Sequence, residues 1–105
     1  MAINEISATD LAEQVAGGAL VVDVREPDEY EDGHIEGAVL VPLSAVPEHV
    51  DAFRGDGPTY VICRSGARSM RACEYLDGFG LEVVNVAGGM LAWSMAGHAV
   101  ATGAS

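Results

Sequence analysis

The run Ala19-Leu20-Val21-Val22-Asp23-Val24 is apolar almost without interruption, and it constrains the fold more than any other segment. A strand with one face in water alternates apolar and polar residues, whereas an unbroken run is covered on both faces, the pattern of a parallel sheet. Parallel neighbours need long crossover connections, usually helices. The chain supplies them in alternation. Ser7-Ala8-Thr9-Asp10 reads as a helix cap ahead of Leu11, Ala12, Val15 and Ala16, and Gly17-Gly18 can close that helix in left-handed geometry.

After the first apolar run, Pro27 suits the first position of a helical turn, and Gly33-His34-Ile35-Glu36-Gly37 reads as a turn-rich connection to a strand over Ala38 to Val41. A helix entered at Pro47, with Val46, Val50 and Phe53 apolar, leads through Gly55-Asp56-Gly57-Pro58 to the strand Thr59-Tyr60-Val61-Ile62. A further helix carries Ala67, Met70, Cys73, Tyr75 and Leu76 as its apolar stripe and stops at Gly78 and Gly80. Glu82 to Val86 forms another strand. Ala87-Gly88-Gly89 opens a last helix with Met90, Leu91, Trp93 and Met95, followed by a loosely held small-residue tail from Ala99. The expectation is a single α/β domain over residues 1–105, core about 8–97 and tail 99–105, with a central, mostly parallel sheet flanked by helices.

Composition narrows the function classes. Sixteen acidic residues against five basic ones give a formal net charge of -11, so the overall field repels nucleic-acid backbones and anionic lipid. No positively charged leader and no apolar run near the ~20 residues of a membrane span are visible, and a reducing cytoplasm is expected. Two cysteines and three scattered histidines offer no paired zinc spacing. All five basic residues are arginine, and Arg64, Arg68 and Arg71 cluster beside Cys63.

That cluster falls where an α/β sheet binds ligands, at the carboxyl end of a strand where loops and helix N-termini converge. Cys63-Arg64-Ser65-Gly66-Ala67-Arg68-Ser69 reads as a strand-to-helix turn whose backbone N–H groups can face inward and cradle an anion centred on sulfur. A free thiol is only slightly ionised at neutral pH, while nearby cations and a helix N-terminus favour the thiolate. Each pKa unit needs about 1.4 kcal/mol, and a helix end supplies only ~0.3 to 1 kcal/mol. A large shift therefore requires arginine charge and direct N–H contacts from a closely wrapped loop.

Val22-Asp23-Val24-Arg25-Glu26, Glu29-Tyr30, Gly33-His34-Ile35-x-Gly37-Ala38, the Cys63 loop and Gly88-Gly89-x-x-x-Trp93 together resemble a single-domain rhodanese-like sulfurtransferase, from about Ala8 to Gly97. The resemblance implies a three-layer rhodanese-like fold without metal or organic cofactor. It implies that Cys63 takes sulfane sulfur from a small anionic donor such as thiosulfate, becomes a persulfide, and passes the sulfur to cyanide or a thiol. Arg64, Ser65, Gly66, Ala67, Arg68 and Ser69 would bind the donor, with Arg64 and Arg68 adding positive charge. Related dual-specificity phosphatases separate cysteine and arginine by five residues. Here four lie between Cys63 and Arg68, a smaller cradle that favours sulfur over phosphate. Sulfur relay to a specific protein partner and a non-catalytic rhodanese-like regulatory module are the alternatives.

The remaining polar residues have plainer readings. Cys73 lies on a helical stripe and is expected to pack rather than relay sulfur. Asp23, Arg25 and His34 are expected to brace the scaffold, and Arg71 is balanced between an anion site and a pair with Glu74 or Glu36. Trp93 and the nearby methionines are expected in the core or a pocket wall. Glu26, Asp28, Glu29, Glu31 and Asp32 lack calcium-loop spacing and read as a solvated face.

Overall fold

The computed structural model describes residues 3–104. Along the chain run β1 (Asn4–Ile6), α1 (Ala8–Ala16), β2 (Leu20–Asp23), α2 (Pro27–Asp32), β3 (Val39–Leu40), β4 (Thr59–Ile62), α3 (Ala67–Asp77), β5 (Val83–Val86) and α4 (Gly89–Met95). The sheet order is β1-β5-β4-β2-β3. Every pairing is parallel, so the sheet is wholly rather than mostly parallel.

Two-sided burial accounts for the unbroken apolar runs. Successive side chains on a strand point to opposite faces. Val21, Tyr60 and Ile62 pack on one side with Leu11 of α1, Tyr30 of α2 and Met90 and Trp93 of α4. Val22, Val61 and Cys63 pack on the other with Ala72, Cys73 and Leu76 of α3, and with Val46 and Phe53. The three layers follow from that alternation. Among the described residues, no helix is long and apolar enough to cross a membrane.

Several local expectations are met by identifiable contacts. Ser7 Oγ accepts from Asp10 N at 3.1 Å to cap α1, Gly18 takes φ +90° beyond its end, and Pro27 opens α2. The segment around Pro47 differs: it forms a 3₁₀ helix over Leu43–Glu48 with Pro47 inside, then a second over Val50–Phe53. Proline has no N–H, and its ring collides with the carbonyl four residues back, so an α-helix cannot run through position 47. β1 is an addition, an edge strand whose Glu5 stands opposite Asn85.

Three packing expectations need correction. The buried face of α3 is Ser69, Ala72, Cys73 and Leu76, while Ala67 and Tyr75 are exposed, because the helix turns its serine toward β4 and β5. Met95 is 89% exposed, unlike Met90 and Trp93 in the core. From Ala99 to Gly103 the tail is strapped down rather than loose. His34 and Ala101 exchange backbone hydrogen bonds at 2.9 and 2.8 Å, Gly103 N donates to Glu31 O at 2.8 Å, and Trp93 Nε1 donates to Ala99 O at 2.9 Å. A Cβ on Gly33 would lie 2.8 Å from Val100 Cγ1, so the glycine makes room for the strap.

Candidate active site

Cys63 follows the last residue of β4, and its side chain enters the face shared with α3. The loop after it turns through Gly66 at φ +105°, a left-handed conformation that only glycine adopts without strain. The turn brings Gly66 N to 3.1 Å from Cys63 Sγ. Ser69, in the first turn of α3, donates through Oγ toward the same sulfur at 3.3 Å.

The other side of the loop is held by the first turn of α4, whose free amides are unpaired donors in any helix. Met90 N donates to Cys63 O at 2.8 Å and Leu91 N to Arg64 O at 3.0 Å. Gly89 sits at the close approach, where a Cβ would come within 2.6 Å of Arg64 O. The Gly88-Gly89 pair thus serves the cysteine loop directly.

Cys63 is 1% exposed. Burial opposes ionisation, but the Ser69 hydroxyl and the backbone N–H groups of Ser69, Gly66 and Ser65 outweigh it and bring the thiol below its ordinary value. Burial alone would suit a structural cysteine; the converging donors distinguish it. Cys73 is the contrast. It is fully buried, both cysteines are free, and desolvation pushes the Cys73 thiol up to about 12.

The two loop arginines part company. Arg64 and Ser65 are exposed, and among the described residues Arg64 takes part in no salt bridge. Arg68, expected to add positive charge toward the donor, is paired within the protein: its Nη1 and Nη2 donate to Glu29 Oε1 and Oε2 at 2.7 and 2.8 Å. Glu29 is held down to about 2 chiefly by these bonds, and its Oε1 also accepts from Glu26 N at 3.0 Å. Glu29 therefore caps α2 and ties α2 to the start of α3, a role missed when it was grouped with the solvated acids. An arginine near a helix N-terminus, where the macrodipole opposes it, is a signal that a carboxylate partner is needed.

Asp23 and Arg25 brace the neighbouring strand end. The Arg25 guanidinium donates to both Asp23 carboxylate oxygens at 2.8 to 3.1 Å and to Gly33 O at 2.7 Å. His34 Nδ1 lies 2.7 Å from Tyr30 O; a carbonyl only accepts, so Nδ1 carries the proton there. Its ring stacks on Tyr30 with centroids 3.7 Å apart. Arg71 is exposed and, among the described residues, enters no salt bridge.

Beside the loop, a cavity of about 340 Å³ is bordered by Arg25, Asp32, Arg64, Met90, Leu91 and Val100 among its lining residues, with Arg64 as the cysteine loop's contribution. Among the described residues, no cluster of three or more His, Cys, Asp or Glu is placed to hold a metal ion.

The chain has counterparts among known proteins. The family profile of the rhodanese-like domain matches residues 7–96. A putative sulfurtransferase of Bacillus subtilis, YtwF, is 42% identical over 95 residues, covering 89% of this chain and 92% of the relative. The thiosulfate sulfurtransferase GlpE of Pseudomonas entomophila is 39% identical over 79 residues, covering 74% and 72%. The crystal structure of a rhodanese-related protein from Thermoplasma volcanium superposes with a TM-score of 0.87 at 37% identity, covering 93% of this chain and 97% of that one. The chain belongs to the rhodanese-like domain family, alongside relatives named as sulfurtransferases.

Proposed function

We propose that the protein is a sulfurtransferase that carries sulfane sulfur on Cys63, with thiosulfate as donor and cyanide or a thiol as acceptor. The observation that carries this reading is the convergence of loop N–H groups and the Ser69 hydroxyl on one buried sulfur. Such donors stabilise a thiolate nucleophile, and a nucleophile already ionised needs no general base. The Cys63 thiolate attacks the outer sulfur of thiosulfate. A sulfur–sulfur bond forms to the enzyme, the bond to the sulfite sulfur breaks, and sulfite leaves with that electron pair. The acceptor then attacks the terminal persulfide sulfur, releasing thiocyanate or an acceptor persulfide and restoring the thiolate. Charge and sulfur balance in both halves.

The loop residues divide the work. Backbone N–H groups of Ser65, Gly66 and Ser69 hold the charged sulfur, Arg64 supplies a cation toward the donor, and Arg68, neutralised by Glu29, keeps the loop in place. Screening beyond ~8 Å lets this local cradle act against the acidic whole. A reducing compartment such as the cytoplasm keeps the thiol available.

A second reading, delivery to a protein acceptor, is favoured by the apolar surface at the cavity rim, where Leu91 is 43% and Val100 42% exposed. Intact-mass measurement after thiosulfate treatment tests both readings: one added sulfur atom is expected on the native protein and none on Cys63→Ala. Thiocyanate production from cyanide identifies the free-acceptor reading, and discharge only to protein thiols the second. A protein that takes up no sulfur is a regulatory module, and both readings fall.

A further inference from the structure

Behind the catalytic loop lies a buried chain of side chains that the transfer chemistry does not itself call for. Ser69 Oγ is 3.3 Å from Cys63 Sγ and 2.5 Å from Asn85 Oδ1. Asn85 Nδ2 donates to Glu5 Oε2 at 2.8 Å and to Gly66 O at 3.2 Å. Both of those partners only accept, so the amide orientation is settled: nitrogen toward Glu5 and Gly66, oxygen toward Ser69. A hydroxyl has one hydrogen to donate. Ser69 faces two acceptors, sulfur and Asn85 Oδ1, and cannot serve both. Ser69 and Asn85 are buried, so no bulk water stands in for the missing donor.

We infer that Asn85 is a positioning residue for the Ser69 proton: it competes with the Cys63 sulfur for the single hydroxyl hydrogen and so sets how readily Cys63 ionises. When Cys63 is a neutral thiol, its S–H donates to Ser69 Oγ and the Ser69 hydrogen goes on to Asn85 Oδ1, which satisfies the whole chain. When Cys63 is a thiolate, the Ser69 hydrogen turns to sulfur, and Asn85 Oδ1 is left facing an oxygen with no hydrogen between them. An unpaired buried acceptor is costly, so Asn85 restrains ionisation. On the reading of Cys63 as a persulfide carrier, the restraint has a use. The charge moves to the outer sulfur, one bond further from Ser69, and the hydrogen returns to Asn85. The network then favours the sulfur-loaded state over the bare thiolate.

Among the described residues, no charged side chain hydrogen-bonds the Ser69 hydroxyl, whose partners are the sulfur and Asn85 Oδ1. Arg68 of α3 acts on the thiolate through its charge but is bonded to Glu29. Cys73 of α3 is a buried thiol on the same face. Asp23 and Arg25 at the end of β2 are paired with each other. Glu5 of β1 reaches Asn85 on its nitrogen side.

The test is the pH dependence of Cys63 alkylation by iodoacetamide, located by peptide mass, in the native protein, Asn85→Ala, Ser69→Ala and the double variant. Asn85→Ala is expected to lower the alkylation midpoint and to speed alkylation below it about three- to tenfold, the worth of one hydrogen bond. Ser69→Ala is expected to move the midpoint the other way, and Asn85→Ala should lose its downward shift in that background, where it removes only the bonds to Gly66 O and Glu5 Oε2. A downward shift of the same size without Ser69, or a shift that follows the direction of Ser69→Ala, overturns the inference. Should Asn85→Ala fail to fold, the side-chain amide resonances of Asn85 in the unmodified protein take its place: they must shift with the Cys63 midpoint, and resonances that hold still across it overturn the inference equally. Thiosulfate loading of the same samples separates this inference from the proposed function. Correct midpoints without sulfur uptake remove the sulfurtransferase reading, whereas uptake with indifferent midpoints removes the role of Asn85.

Discussion

Glu29→Gln tests how the cysteine loop is fastened to the fold. The substitution keeps an oxygen able to accept from Glu26 N, and so keeps the α2 cap, but removes the charge that meets Arg68 in two hydrogen bonds. Glu29 falls from its ordinary 4.5 to about 2 in the folded chain, which corresponds to a ceiling of about 3 kcal/mol by linkage. The pair is 33% and 27% exposed on its two sides, so solvent screening reduces the expected loss at neutral pH to about 1 to 2 kcal/mol. The sign follows from the lowered value. The stabilisation is complete above the unfolded carboxyl's 4.5 and disappears as pH falls through about 2. Urea unfolding of the native protein and Glu29→Gln at several pH values between 7 and 2 measures it. The gap between them should narrow on acidification; a gap that is absent at pH 7, or unchanged at pH 2, refutes the argument.

Two further outcomes follow. Under native conditions near neutral pH, alkylation should modify Cys63 alone: both thiols are buried, but the donors around Cys63 favour its thiolate, whereas the Cys73 thiol is pushed up to about 12; mass spectrometry should find one adduct, and two only after denaturation, with native modification of Cys73 counting against its packing role. Deleting residues 98–105 should lower stability by about 1 to 3 kcal/mol, since His34 N and O and Trp93 Nε1 lose their partners; an unchanged urea midpoint would show that the strap holds nothing.

Much of the fold was legible because two-sided burial leaves a local trace. Val21 and Val22 point to opposite faces, each is covered, and the unbroken run records both facts. Caps and turns at Ser7, Pro27 and Gly66 are equally local, since the residue that satisfies the backbone stands within three or four positions. At Pro47 the difference lies in the starting point: proline suits a first helical position, but the 3₁₀ helix begins at Leu43 and carries Pro47 inside it. β1 is too short to show a period.

Within the site, the chain itself determined the position of Cys63 at a strand end and the glycine that lets the following amides turn inward. Only tertiary structure decided which side chains complete the cradle. Arg68 meets Glu29 39 residues away, Ser69 meets Asn85 16 away, and Asn85 meets Glu5 80 away. Backbone conformation depends on near neighbours, so sequence displays it. The partner of a buried charge or hydroxyl depends on which strands the sheet sets side by side, and that emerges only when the crossovers have brought distant segments together.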